Sequence, residues 1–301
     1  MTGPTLESLL PAGLKKGLTP AEKTVLERTQ KGEWADLCSG KEEDDKPENA
    51  GKWGPDRTVR AELLYWLCAE PDVSKRIRAK GVRIAGAKIT GTLDFEDAVL
   101  SHSLALIGCA ILDGIILIDA RTRSLRFSGS RTGLISADHL KTAGNVFLDD
   151  GFHAEGEVRL LGADIGGQLN CTGATLKNPE GKALSADRLK TAGNVFLTEG
   201  FHAEGEVRLS GADIGGQLSC TGATFSNPKD DAFSAEGMRV NGVLFWRGLK
   251  DRPQGSVNLT HARVGQLVDD EKSWPNEKRF FLDGFEYRAF AGSAPRTVAE
   301  R

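Results

Sequence analysis

The chain has 301 residues, with 39 Lys and Arg against 42 Asp and Glu, for a formal net charge of −3. A balance this even excludes a field strong enough to recruit nucleic acid or an anionic membrane surface. The sequence contains neither a run of about 18 apolar residues nor a basic segment leading into an apolar one at its start, so neither a helical span nor a secretory leader is expected.

Residues 1–80 read as a helical N-terminal region and cap. Thr19-Pro20-Ala21-Glu22 is a capping box with Pro at the first helical position, followed by Val25, Leu26 and a stop near Gly32. Lys41-Glu42-Glu43-Asp44-Asp45-Lys46-Pro47 is a solvated connection. From Asp56, taken as a cap, Val59, Leu63, Trp66 and Leu67 fall on one helical face, with Ala61, Leu64 and Cys68 on another. A segment so apolar needs cover on more than one side, and residues 56–80 are expected to plug the open end of the repeat region that begins at Val82.

From Val82 the periodicity changes. Val82-Arg83-Ile84-Ala85-Gly86-Ala87 aligns without a gap to Val158-Arg159-Leu160-Leu161-Gly162-Ala163. Ile111 to Ile118 is the most apolar text in the chain, so inner and outer positions are harder to separate there, and cover from outside is an alternative. Then Ile135 to Ala183 is written again from Leu184 to Ala232, a period of about 49 residues with roughly three-quarters identity.

Within each copy, short apolar alternations such as Val146, Leu148 and Val158, Leu160 have strand periodicity, with Gly144, Gly151, Gly156 and Gly162 at the corners. Such strands bury a face only by stacking into a solenoid. Two coils of about 24 residues per period place Cys171 two rungs below Cys220 in one inward column. The interior is expected to hold Leu, Ile, Val, Ala and Cys and to exclude Trp, which is absent between Trp66 and Trp246. Cys38, Cys68, Cys109, Cys171 and Cys220 form no CxxC pair; reduced thiols in a cytoplasmic protein are expected, not a metal site.

After Ala232 a third copy decays through Gly242-Val243-Leu244-Phe245. Trp274, Phe280, Phe281, Phe285, Tyr287 and Phe290 then suggest an aromatic C-terminal cap over 271–301. The expectation is an all-β solenoid, a right-handed β-helix of roughly seven to eight coils over 81–270, between a helical N-terminal cap and an aromatic one.

Where apolar pairs are spaced by five, as in Leu93, Phe95, Ala98, Leu100 and then Leu104, Leu106, Cys109, Ile111, the text resembles the pentapeptide-repeat proteins. The resemblance covers about Val82 to Asp269 and implies a right-handed, four-sided coil; in that family it also implies DNA mimicry, which the mixed charges here oppose. Asp269 to Pro275 with Phe281-Leu282-Asp283-Gly284-Phe285 resembles bacterial repeat proteins labelled membrane-associated oxidoreductases. That resemblance implies further helices beyond Arg301 and leaves a tail or membrane anchor open, but no phosphate-cradling glycine loop or cofactor motif accompanies it.

Candidate chemistry is sparse. His153-Ala154-Glu155 recurs as His202-Ala203-Glu204, yet a duplication copies every residue, and a polar corner accounts for both. Gly-Ala-Asp-Ile-Gly-Gly at 162–167 and 211–216 lacks dinucleotide spacing and a following helix. A polysaccharide lyase needs a calcium-binding acidic cluster; Asp149, Asp150, Glu155 and Glu157 become Thr198, Glu199, Glu204 and Glu206 in the second copy. No catalytic, cofactor-binding or metal-ligating residue is assigned.

Alternation instead sends Phe147 and Phe196 outward in one column about 10 Å apart, a sticky stripe unless a loop such as Lys177 to Lys182 or the N-terminal helices cover it. Arg159 and Arg208 project from a neighbouring unit as a polar, anion-attracting rim. The expected function is a non-enzymatic interaction scaffold for a protein partner or for itself. A polysaccharide-active or redox enzyme and a DNA-mimic inhibitor are the alternatives.

Overall fold

Alternating residues bury one side of each short strand, and the chain supplies the other half of each pairing by returning to the same place one coil later. The computed structural model describes residues 4–276 and 279–290. It is a parallel β-solenoid of about nine turns with helices at its N-terminal end.

Each coil carries four strand positions. In one of them Leu125–Arg126 is followed by Arg131–Thr132, Ile135–Ser136 and Lys141–Thr142 before the next coil opens at Val146–Phe147. Each position stacks in parallel on its counterparts, giving four stacks along the axis. Leu104, Leu125, Val146, Leu169, Val195 and Leu218 are in register in the first. The second and third stacks merge where Thr175–Ser185, His202–Arg208 and Thr224–Ser234 run across their shared corner, and the fourth and first merge through Arg239–Trp246 and Arg263–Asp269.

The register explains the 49-residue period. Val146 pairs with Leu169, a step of 23 residues, and Leu169 with Val195, a step of 26. The longer coil carries the insert within Thr175–Ser185, and the same insert recurs within Thr224–Ser234. Upstream, Leu104 to Leu125 and Leu125 to Val146 are steps of only 21. The expected seven to eight coils of 24 residues are therefore corrected to about nine, because the early coils are shorter and strand pairing extends further in both directions.

Two corners per coil are fixed by left-handed backbone. Between the third and fourth stacks Asp97, Asp119, His139, Gly162, Arg188, Gly211, Gly237, His261 and Gly284 all have positive φ. Gly129, Asp150, Gly173, Glu199 and Gly222 do the same between the first and second. Glycine is required where a neighbour leaves no room: a Cβ at Gly162 would lie 2.9 Å from His139 Cδ2 of the coil below.

The interior is one continuous core. Cys171 and Cys220 are both fully buried, two coils apart in a column with Leu148 and Leu197. In the apolar stretch Ile111, Ile115 and Leu117 point in, whereas Ile116 and Ile118 are half-buried and Leu112 is exposed. The expectation of a purely aliphatic interior is corrected: Phe95, Phe127, Phe152, Phe201, Phe225, Phe233 and Trp246 are among the largest fully buried side chains. Trp246 stacks on Phe225 at 5.5 Å between centroids, and its indole N–H donates to the Ser273 carbonyl at 2.9 Å. Buried rings thus occur from the first coils onward, and they cluster around Trp246 in the late ones.

At the N-terminal end helix α1 (Pro20–Lys31) has the capping box, with Thr19 Oγ1 accepting from the Glu22 amide at 3.0 Å and Glu22 accepting from the Thr19 amide at 3.1 Å. Fully buried Glu22 also accepts from Arg60 Nε at 2.7 Å, tying α1 to the strand Thr58–Arg60. That strand corrects the helix expected from Asp56. Helix α2 (Ala61–Ala69) starts only after it, because Thr58–Arg60 pairs with Lys88–Thr90 and Ala35–Asp36 pairs with Val82–Ala85. The helix lies where a third-stack strand would continue, with Tyr65 stacked on Phe95 at 6.0 Å. Burial of Leu63, Leu64 and Leu67 stabilises this end by about 1.5–3 kcal/mol each.

At the other end Phe280–Phe281 pairs with Val257 and Asn258, and Glu286–Phe290 pairs with Arg263–Asp269, so strands occupy part of the region expected to form a cap. Phe280, Phe281, Leu282 and Tyr287 remain exposed. Residues 291–301 of the expected cap lie outside the described residues.

Candidate functional site

Strand alternation places Val146, Leu148, Val195 and Leu197 in the core and turns Phe147 and Phe196 outward, where both are half-buried. They share one column of the first stack, Arg126, Phe147, Asn170, Phe196, Ser219, Phe245, each in register with the next. The two rings are thus two strand spacings apart, about 10 Å. Phe245 continues the series at the same interval and is also half-buried. Sequence reasoning missed it as a site residue, although Leu244-Phe245 repeats Val195-Phe196 one period later. The Arg126 guanidinium carbon sits 4.0 Å from the Phe147 ring centroid and shields one side of that ring.

Beside the rings runs a polar ladder. Ser128 donates to Asp149, Asn170 Nδ2 donates to Asp149 at 2.8 Å, Thr172 donates to Asn170 Oδ1 at 2.7 Å, and the Thr172 and Thr198 hydroxyls lie 3.0 Å apart. Burial pushes the Asp149 carboxyl up, against the lowering effect of the Ser128 hydrogen bond. A recess of about 310 Å³ opens around Phe196, walled by Asn170, Thr172, Thr198, Ser219 and Thr221. The insert at Lys177 to Lys182 lies between the second and third stacks, away from this column.

Arg159 and Arg208 belong to the third stack, two stacks away around the coil, in register with Ser185 between them. The structure therefore does not bring them together with the phenylalanines. Each is already engaged: Arg159 forks onto Asp138, with Nε at 2.9 Å and Nη2 at 2.7 Å, and Arg208 Nε meets Asp187 at 2.9 Å. The rim is a row of ion pairs rather than of open cations, and the hydrogen bond to Asp187 raises the Arg208 pKa further.

The repeated His-Ala-Glu motif forms a second-stack ladder. His153 Nε2 lies 2.8 Å from Glu155, which also accepts from Arg131 at 3.1 Å; His202 lies 3.2 Å and Lys177 3.4 Å from Glu204. These bonds lower the Glu155 pKa, the His153 hydrogen bond most. Asp149 is held in the polar ladder and Asp150 sits at a left-handed corner, so the acidic residues of the first copy do not converge. Among the described residues no group of three or more His, Cys, Asp or Glu is placed to hold a metal ion. Burial raises the thiol pKa of Cys171 and Cys220, and pushes Cys68 and Cys109 up to about 12. Among the described residues no helix is long and apolar enough to cross a membrane. Comparison with protein-family models, with curated proteins and with solved structures gives no match.

Proposed function

We propose that the chain is a non-enzymatic interaction scaffold whose first-stack face receives a protein partner or a second copy. The observation that carries the reading is the column of Phe147, Phe196 and Phe245, outward rings at a regular interval over a core that is already filled. Rings held at fixed spacing on a stiff ribbon lose little conformational freedom on binding, which favours them as anchors. The five free cysteines support a reducing, cytoplasmic setting.

The test is the Phe147→Ser, Phe196→Ser double variant beside wild type, in pull-downs and in analytical ultracentrifugation. Loss of association at an unchanged melting temperature is expected. Loss of folding would make the rings core, and unaltered association would remove this face from consideration.

A second reading, an inhibitor of the pentapeptide-repeat type that mimics DNA, is supported by the four strand positions per coil. Against it stands the mixed charge of the fourth-stack column, where Lys141, Asp164, Lys190 and Asp213 alternate. Competition with duplex DNA for a DNA-binding enzyme separates the two. A polysaccharide-active or redox enzyme would instead bind calcium, oligosaccharides, nicotinamide or flavin in the same preparation.

A further inference from the structure

We propose that the cleft formed by Arg239, Arg263 and Arg288 at the fourth corner of the last described coils binds a phosphate group, as a small phosphate monoester. This surface is separate from the phenylalanine column, and the proposal does not depend on it.

Charge order along the fourth stack gives the first reason. The fourth stack opens with Arg121 in register with Lys141, and from Lys141 the outward residues Asp164, Lys190 and Asp213 alternate in sign on successive strands, so that Lys190 lies between two anions. The alternation then breaks: Arg239 and Arg263 are direct register partners, two exposed guanidinium groups one strand spacing apart, about 4.8 Å at the backbone. Like charges directly opposite destabilise a strand pair unless an anion is shared between them. Glu286 answers only one of them, with its carboxylate 3.2 Å from Arg263 Nε. Among the described residues neither Arg239 nor Arg288 has a carboxylate within salt-bridge reach, Asp213 one strand below Arg239 included.

Backbone geometry gives the second. Val240 pairs with Val264 but Val243 with Gln266, so Asn241 and Gly242 together face Gly265 alone. The corner is cut short there, and no side chain can fill it, because a Cβ on Gly265 would meet the Asn241 carbonyl oxygen at 2.4 Å. In the next coil Tyr287 pairs with Val264 and Ala289 with Gln266, which sets Arg288 opposite that glycine. The result is a recess of about 430 Å³ lined by the three arginines, Asn241, Glu286 and Tyr287.

Three guanidinium groups against one carboxylate leave a net charge of about +2 around a concavity whose size lies within the small-ligand range of roughly 300–1,000 Å³. A guanidinium presents paired N–H donors at the spacing of phosphate oxygens. A dianion would offset the repulsion between Arg239 and Arg263, and the volume left over accommodates a small organic group.

The test uses the full chain at constant ionic strength in sodium chloride, titrated with inorganic phosphate and followed by calorimetry and by thermal shift. Saturable one-to-one binding is expected. It should weaken at least tenfold in Arg239→Gln and in Arg288→Gln, stay unchanged in Arg121→Gln on the same stack, and tighten in Glu286→Gln, which removes the competing carboxylate. Glycerol phosphate in solution and phosphatidate vesicles then distinguish a soluble ester from a lipid headgroup as the source. A response that chloride reproduces, or one that Arg121→Gln lowers as much as Arg239→Gln, would overturn the proposal. If Arg239→Gln fails to fold, Glu286→Gln decides alone, and unchanged or weaker phosphate binding in it counts against the site.

Discussion

The two copies of the 49-residue passage trace nearly the same path, yet they diverge at positions with distinct physical roles. Leu176 in the first copy becomes Phe225 in the second, both fully buried. That ring packs on Phe201 at 5.9 Å, on Phe233 at 5.4 Å and on Trp246 at 5.5 Å, so a core that holds the single buried ring Phe152 in the first copy passes into an aromatic cluster in the second. Glu180 becomes Lys229, and the two lie 3.3 Å apart on inserts separated by two coils. Asp149, the acceptor at the centre of the polar ladder, becomes Thr198. The comparison teaches that a shared backbone tolerates changes which improve contact with the neighbouring coil, even when the two texts cease to match.

The largest effect is expected at the ring. Phe225→Ala should lower stability in urea denaturation by about 3–5 kcal/mol, and Phe225→Leu, which restores the chemistry of the first copy, by much less. Equal losses would show that the aromatic cluster does not distinguish the copies. Next come two glycines at the same place in each copy, Gly156 with φ 144° and Gly205 with φ 118°. Alanine at either position is strained by roughly 1–3 kcal/mol from its backbone alone. At Gly205 the new Cβ would also meet the Asn178 carbonyl oxygen at 2.3 Å, against 3.3 Å to the nearest atom at Gly156. Gly205→Ala should therefore melt well below Gly156→Ala.

A smaller change of opposite sign is expected at the corner where Asp150 and Glu199 both adopt positive φ. Glu199→Gly should raise stability by up to about 1 kcal/mol, and Asp150→Gly by less, since aspartate enters the left-handed region more readily. The last prediction is a slope in pH. The Asp149 carboxyl is pushed up by burial, so the folded state keeps that proton after the unfolded state has lost it. Stability contributed by this group falls as pH rises from about 4 through the raised folded value. Asp149→Thr, the residue of the second copy, should lose that part of the slope whatever its offset; urea midpoints measured across the acid range check it, and parallel curves would refute it.

How much of this could be read in advance depended on which neighbour mattered. Alternation along a strand is local, so the outward position of Phe147 and Phe196 and the shared column of Cys171 and Cys220 were legible. Contacts across coils were not, because they require the coil length at each place. Arg159 and Arg208 were read as open cations, yet their partners Asp138 and Asp187 each lie 21 residues earlier, a step that a uniform coil of about 24 misplaces. The buried rings were missed for a related reason. Absence of Trp from the middle coils suggested a narrow bore throughout, whereas Phe152 and Phe201 fill the core beside small Ala174 and Ala223. The arginine cleft was illegible altogether, since it arises from one residue lost at a corner, visible only as a slip between two registers.

Val146 and Val195 stand at the same place on the first stack, two coils apart. Excising the stretch from one to the other would let the ribbon close over the gap without a seam, and copying it once more would extend the rod by the same increment, about 10 Å. The molecule therefore behaves as a ruler graduated in whole double turns, and recombination between its near-identical passages can reset its length while leaving both ends as they were.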